Sequence, residues 1–259
     1  FNSNVLRLMI EVVDLRKSFG DAEILKGITT TLETGKINLI IGQSGSGKTV
    51  FLKSLLNVFE PTSGSILFDG RNIVEMTPKQ KQELRAEIGT VFQGSALFDS
   101  MTVEENIMFP LDMFTNLTYT EKKKRVKEVI DDVHLENADH KYPSEISGGM
   151  QKRVAIAIAI VNNPKYLFCD EPNSGLDPYT SKVIDDLIKE ITQRYNTTTI
   201  INTHDMNSVM TIGEKIVYLR KGVKEWEGNK DILINAESQY LIDFVYSSEL
   251  FKELRQYLL

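Results

Sequence analysis

Gly42-Gln43-Ser44-Gly45-Ser46-Gly47-Lys48-Thr49 gathers three glycines, a lysine and a threonine hydroxyl within one short stretch. Glycines let main-chain N–H groups curl around phosphate oxygens. Lys48 adds a cation for the β- and γ-phosphates of a nucleotide, and Thr49 offers a hydroxyl to Mg2+. Such a loop needs a buried strand before it and a helix after it, because the start of the helix turns its positive end to the same anion. Residues 37–41 and 50–57 have the composition for both. Without that context the stretch would be an ordinary glycine-rich turn.

Tyr166-Leu-Phe-Cys-Asp170-Glu171 is an apolar run that ends in two carboxylates. Adjacent acids alone suggest a solvated turn. In a chain with a phosphate loop, Asp170 is expected to organise the Mg2+ shell through water, and Glu171 to polarise the attacking water as a general base.

Four apolar or β-branched runs, 37–41, 88–92, 166–169 and 197–201, stop at Gly42, Gln93, Asp170 and Asn202-Thr203-His204. None alternates cleanly. Runs apolar on both faces point to strands of a parallel sheet, which binds ligands at its carboxyl ends, so the four endings are expected to converge on one site. Between them, Thr77-Pro-Lys-Gln80 and Thr118-Tyr-Thr-Glu121 carry helix-start signals. Residues 181–195 place Val183, Ile184, Leu187, Ile188 and Ile191 on one helical face. Residues 94–161 are mostly helical in pattern and interrupt the strands, which predicts an inserted subdomain in one compact unit.

Composition narrows the partners. Lys and Arg number 30 against 36 Asp and Glu, a net charge of −6, the wrong sign for nucleic acid. Cys169 is the single cysteine, so neither an internal disulfide nor a cysteine-rich zinc site is available, and a reducing compartment is expected. No run reaches the ~18 apolar residues of a membrane span, so a membrane role would pass through a partner. Residues 1–8 lack signal-peptide features and are expected to be upstream or vector-derived, with the natural start at Met9.

Glu145-Ile-Ser147-Gly148-Gly149-Met150-Gln-Lys-Arg153 resembles the signature segment of ABC-type ATPases. It is followed, in that family's order, by Asp170-Glu171, Ser174-Gly-Leu-Asp177 and His204. The resemblance implies an α/β phosphate-loop NTPase fold with a RecA-like core, an antiparallel β subdomain and an inserted helical subdomain. It would span 9–235, with the helical subdomain at about 94–161 and a helical extension over 236–259. It implies ATP and Mg2+ as ligands, and a head-to-tail pair of copies with each ATP between the phosphate loop of one and the signature of the other. Ser147, Gly148, Gly149 and Met150, with Asp177, would then join residues 42–49 in holding ATP. Gln93 would contact Mg2+ and water, His204 would hold the γ-phosphate and water in line, and Phe19 would stack on adenine. Metal contacts would fall to Thr49, Gln93 and Asp170. Outside the family, Ser147 would be a helix cap and Phe19 a core residue. Two positions depart from the usual pattern: Ile158 stands where a basic residue is common, and Asn173 where Thr is.

Within the superfamily, Phe92-Gln-Gly-Ser-Ala-Leu-Phe-Asp-Ser-Met-Thr-Val-Glu-Glu-Asn106 is similar to the ATPase subunits of Mla/Mce-type phospholipid transporters. That similarity implies a separate integral membrane permease and a place on the cytoplasmic face of the bacterial inner membrane; another cargo is the alternative. Ala96, Leu97, Phe98 and Met101 would be either a permease groove or subdomain core. Lys122-Lys-Lys-Arg125 is read as a solvated helix face, His134 and His140 as surface residues. Leu241, Phe244 and Val245, then Leu250, Phe251, Leu254 and Leu258, predict an amphipathic helix that packs on its own domain, or else clasps the second copy or a small accessory cytoplasmic subunit.

Overall fold

The structure, a computed structural model, describes residues 9–233, 236 and 238–246. The chain begins with β1 (Met9–Phe19), β2 (Ala22–Glu33), β3 (Ile37–Ile41), α1 (Lys48–Leu55), β4 (Ser63–Phe68) and β5 (Arg71–Asn72). It continues through α2 (Pro78–Ala86), β6 (Ile88–Val91), α3 (Val103–Phe114), α4 (Tyr119–Asp132), a 3-10 turn (Pro143–Glu145), α5 (Gly148–Ile160), β7 (Tyr166–Asp170), α6 (Pro178–Tyr195) and β8 (Thr198–Asn202). The last elements are α7 (Met206–Ile212), β9 (Lys215–Arg220), β10 (Val223–Gly228), α8 (Lys230–Leu233) and α9 (Gln239–Val245). Residues fall into two compact units, one holding positions up to 33, 37–75 and 202 onward, the other 34–36 and 76–201.

In the first unit β1 and β2 form a long antiparallel hairpin from Met9↔Glu33 to Phe19↔Ala22, which sets Phe19 at its tip. Inward positions Ile10, Val12, Leu15, Leu25, Ile28 and Leu32 are buried, and β4 and β5 extend the sheet in the order β2-β1-β4-β5. Strand β3 is buried at every residue and runs parallel to β9, which pairs antiparallel with β10. At the start of β9 the nearly buried Lys215 reaches Glu227 at 2.7 Å and the Thr31 hydroxyl at 3.0 Å, so β2, β9 and β10 are joined by a desolvated ion pair. Helix α9 lays Leu241, Phe244 and Val245 inward. Phe244 stacks on Tyr218 at 5.3 Å and the Arg220 guanidinium lies 3.4 Å from the Tyr240 ring. The first part of the expected C-terminal helix therefore packs on its own unit; Leu250, Phe251, Leu254 and Leu258 lie outside the described residues.

In the second unit the strands run in the order β8-β7-β6, with β6 and β7 parallel. All of β8 and all but the last residue of β7 are buried. Strand β6 does alternate, contrary to the sequence expectation, because it is the edge of this set and only Gly89 and Val91 turn inward. Within residues 94–161, α5 packs on α3 and α4 and also on β6 and α6. The predicted caps are present, Thr77 and Thr118 each accepting from the N–H three residues on while Gln80 and Glu121 return the bond; Thr102 and Glu105 form a third pair. The basic run is not simply solvated. Lys122 pairs with Asp112 at 2.7 Å and Lys123 with Glu104 at 3.2 Å. Arg125 donates to the Val161 and Ile160 carbonyls at 2.9 and 3.1 Å, capping the C-terminal end of α5.

Candidate functional site

The first unit carries the phosphate loop. Strand β3 delivers the chain into Gly42, whose φ of 151° and tight surroundings admit no side chain: a Cβ there would lie 2.3 Å from the Leu219 carbonyl oxygen. Lys48 folds its ammonium back onto the Gly42 and Gln43 carbonyls at 2.7 and 3.2 Å. The Ser46 hydroxyl is buried and has no hydrogen-bond partner. Helix α1 starts at Gly47 without a side-chain cap and without an acidic residue in its first turn. Helices α2 to α7 and α9 all have side-chain caps. Thr49 is exposed at this open end, and the Thr203 N–H donates to Ile40 O at 3.2 Å, which brings the exposed His204 beside the end of β3. Phe19 is 44% exposed, which excludes the core reading. It meets Phe59 edge-on at 5.1 Å, and the Lys17 ammonium sits 4.8 Å from its ring.

The second unit carries the acids and the signature. Asp170 is the last residue of β7, and Glu171 follows in the left-handed region at φ 49°, a conformation that costs a non-glycine residue on the order of 1 kcal/mol. Ser174 N–H donates to the Glu171 carbonyl at 3.1 Å, and the Ser174 hydroxyl accepts from the Gln93 amide at 3.0 Å. Ser147 caps α5 by accepting from Met150 N–H at 3.3 Å, so the helix-cap reading holds geometrically, with Ser147 and Gly148 exposed. Gly149 is required by close approach, since a Cβ there would meet the Thr180 methyl at 2.6 Å. Asp177 caps α6 through Tyr179 and Thr180 N–H, both at 3.0 Å; the Thr180 hydroxyl bond holds its carboxyl below the usual range. Asn173 donates to Asp185 at 2.7 Å, giving this departure from the family pattern a local partner, while Ile158 is half-buried. Cys169 is fully buried, and that desolvation, followed by the charges of Asp170 and Asp185, pushes its thiol far up.

Gln93, Ser147, Gly149 and Asp177 thus share a unit with both acids, and Phe19 and His204 share one with the loop. His134 and His140 sit exposed beside Glu190 and Asp139. Ala96 and Phe98 are exposed and Leu97 and Met101 half-buried, a surface rather than a core. The strain at Glu171 and the role of Lys152, whose ammonium donates to the Gln93 carbonyl, had no signal in the sequence.

These residues fit the ligands the sequence implies. An uncapped helix start, an unpartnered buried hydroxyl and a lysine above them are what a polyphosphate needs. Among the described residues no group of three or more His, Cys, Asp or Glu could hold a metal. Taken unit by unit, Thr49 offers an exposed hydroxyl in the first, and Gln93 an amide oxygen and Asp170 a carboxylate in the second, oxygen donors of the kind Mg2+ accepts beside its waters and phosphate oxygens.

A profile of the ABC transporter family matches residues 25–174. The chain belongs to the ABC transporter family, as an ATP-binding domain. This ABC domain is 37% identical over 236 residues to the probable ribonucleotide transport ATP-binding protein mkl of Mycobacterium tuberculosis, covering 91% of this chain and 66% of that one. It therefore spans just under two thirds of the mycobacterial relative. It is 36% identical over 259 residues to the methionine import ATP-binding protein MetN of Bacillus subtilis, covering 97% of this chain and 76% of that one. Its fold matches the dimeric structure of MJ0796, a bacterial ABC transporter cassette, with a TM-score of 0.76 and 31% identity over 85% of this chain and 98% of that one. No helix among the described residues of the ABC domain is long and apolar enough to cross a membrane.

Proposed function

We propose that this chain is the ATP-hydrolysing subunit of an ABC transporter whose membrane permease is a separate polypeptide. The observation that carries the reading is the phosphate loop itself, with α1 left open at its start and the Ser46 hydroxyl buried without a partner. The loop and Lys48 bind the phosphates, Thr49 stays exposed for the metal, and Phe19 offers its ring to the base. Mg2+, when bound through Thr49, Gln93 and Asp170, would neutralise charge on the phosphates. Glu171 takes the proton of the attacking water, and His204 orients that water and the γ-phosphate. Ser147 and the first turn of α5 form a second anion-binding helix start, which in a head-to-tail pair would face the nucleotide of the other copy. The dimeric state of the MJ0796 cassette supports such a pair.

Glu171→Gln tests this. Turnover falls by ~10²-fold or more while ATP binding is retained. Turnover within a few-fold of the natural chain would remove Glu171 as the base.

For the cargo, the names of the relatives, ribonucleotide transport and methionine import, support another substrate better than the phospholipid reading. The phospholipid reading rests on residues 92–106 alone, and no relative named above supports it or an accessory subunit. Identifying the permease that co-purifies with the chain, and the molecule bound to it, decides between them. Such a permease would hold the chain at the cytoplasmic face of the membrane.

A further inference from the structure

Three consecutive residues in the first turns of α5 each donate to the main chain of a different segment. Gln151 reaches the Pro143 carbonyl at 2.9 Å, Arg153 the His134 carbonyl at 2.9 Å, and Lys152, between them, the Gln93 carbonyl. Lys152 differs from its neighbours in being almost wholly buried, at 5% exposure, and no carboxylate among the described residues pairs with it. Burying an ammonium is costly unless strong acceptors replace its water, so the charge-assisted bond to Gln93 O carries unusual weight here. Gln93 is also held at its other end, its side-chain amide donating to Ser174, and Ser174 N–H in turn donates to the Glu171 carbonyl. One continuous run of contacts therefore leads from α5 through Gln93 to the turn that carries Glu171, all within the second unit.

We propose that Lys152 is a positioning residue that pins the Gln93 main chain to the signature helix, so that Gln93 cannot move toward or away from Ser174 without α5. The inference rests on the proposed function for the meaning of Gln93, but the pin itself is a property of the free chain. A methionine at 152 fills the same space without a donor; an arginine keeps one.

The test uses the full chain with K152M, K152R, Q93A and the double variant Q93A/K152M. Without nucleotide, hydrogen–deuterium exchange over residues 92–97 rises about tenfold in K152M and stays within about threefold of the natural chain in K152R, while residues 139–147, held by Gln151, do not change. With ATP and Mg2+, K152M lowers kcat about tenfold with KM within about twofold, and the double variant is no slower than Q93A alone. Unchanged exchange over 92–97 in K152M, or kcat losses that multiply in the double variant, overturns the proposal. K152A carries the same outcomes if K152M does not fold. A natural chain with no ATPase activity whose 92–97 segment still loosens in K152M would remove the proposed function and support the pin.

Discussion

The phosphate loop of the first unit and the acidic turn of the second solve opposite problems. In the loop, polar groups are left unanswered: α1 has no side-chain cap and Ser46 Oγ has no partner, while glycine absorbs the backbone conformation. At the acidic turn the helix that follows, α6, is capped from within by Asp177, and the difficult backbone falls on a residue with a long charged side chain, Glu171. A region that must receive an anion keeps its donors open. A region that must present fixed side chains satisfies its main chain first and accepts strain where a particular side chain is needed.

Breaking the first half of this contrast gives the largest effect. Gly42→Ala forces a Cβ against the Leu219 carbonyl at a φ suited to glycine, and is expected to cost about 3–5 kcal/mol in urea unfolding and to abolish ATP binding. Arg125→Met removes the cation that answers the far end of α5, with an expected loss of about 2 kcal/mol. Faster hydrogen exchange confined to the second unit checks it. Glu171→Gly sharpens the contrast: relief of the left-handed strain raises stability by about 1 kcal/mol in the same urea assay, while turnover is lost. Stability unchanged or lowered by that substitution would mean that the turn carries no stored strain.

The smallest effect concerns acid. The carboxyls of Asp177 and Glu121 are lowered chiefly by hydroxyl bonds from Thr180 and Thr118. A depressed folded-state value means stabilisation that is present above the ordinary carboxylate range and lost as pH falls through the lowered value. Helix starts α6 and α4 should therefore loosen only as pH falls below the ordinary carboxylate range, and Asp177→Asn should flatten that dependence at α6; NMR titration of the Tyr179 and Thr180 amides reads it out.

The strand endings could be read from sequence because a buried strand must be apolar and a ligand site must not be, so Ile41 to Gly42 and Cys169 to Asp170 mark abrupt changes. The caps at Thr77 and Thr118 were legible for a similar reason, being local patterns four residues long. Thr102 with Glu105 has the same local pattern. Strand β9 opens on Lys215, whose burial is explained by Glu227 on β10 together with Thr31 and Glu33 on β2, and β1 breaks its alternation with register shifts around Asp14. Lys152 looks like any surface lysine until α5 is placed against the chain at Gln93. What escaped, in each case, depends on residues distant in sequence.

Cys169, next to Asp170 in the chain, has its thiol both sealed from solvent and held in the neutral, unreactive form. Because it is the only sulfhydryl in the chain, a thiol reagent can modify the protein only when β7 is uncovered. The labelling rate would thus act as a clock for opening of the strand that delivers the two acids, and a ligand that steadies those acids should slow it without any probe being introduced.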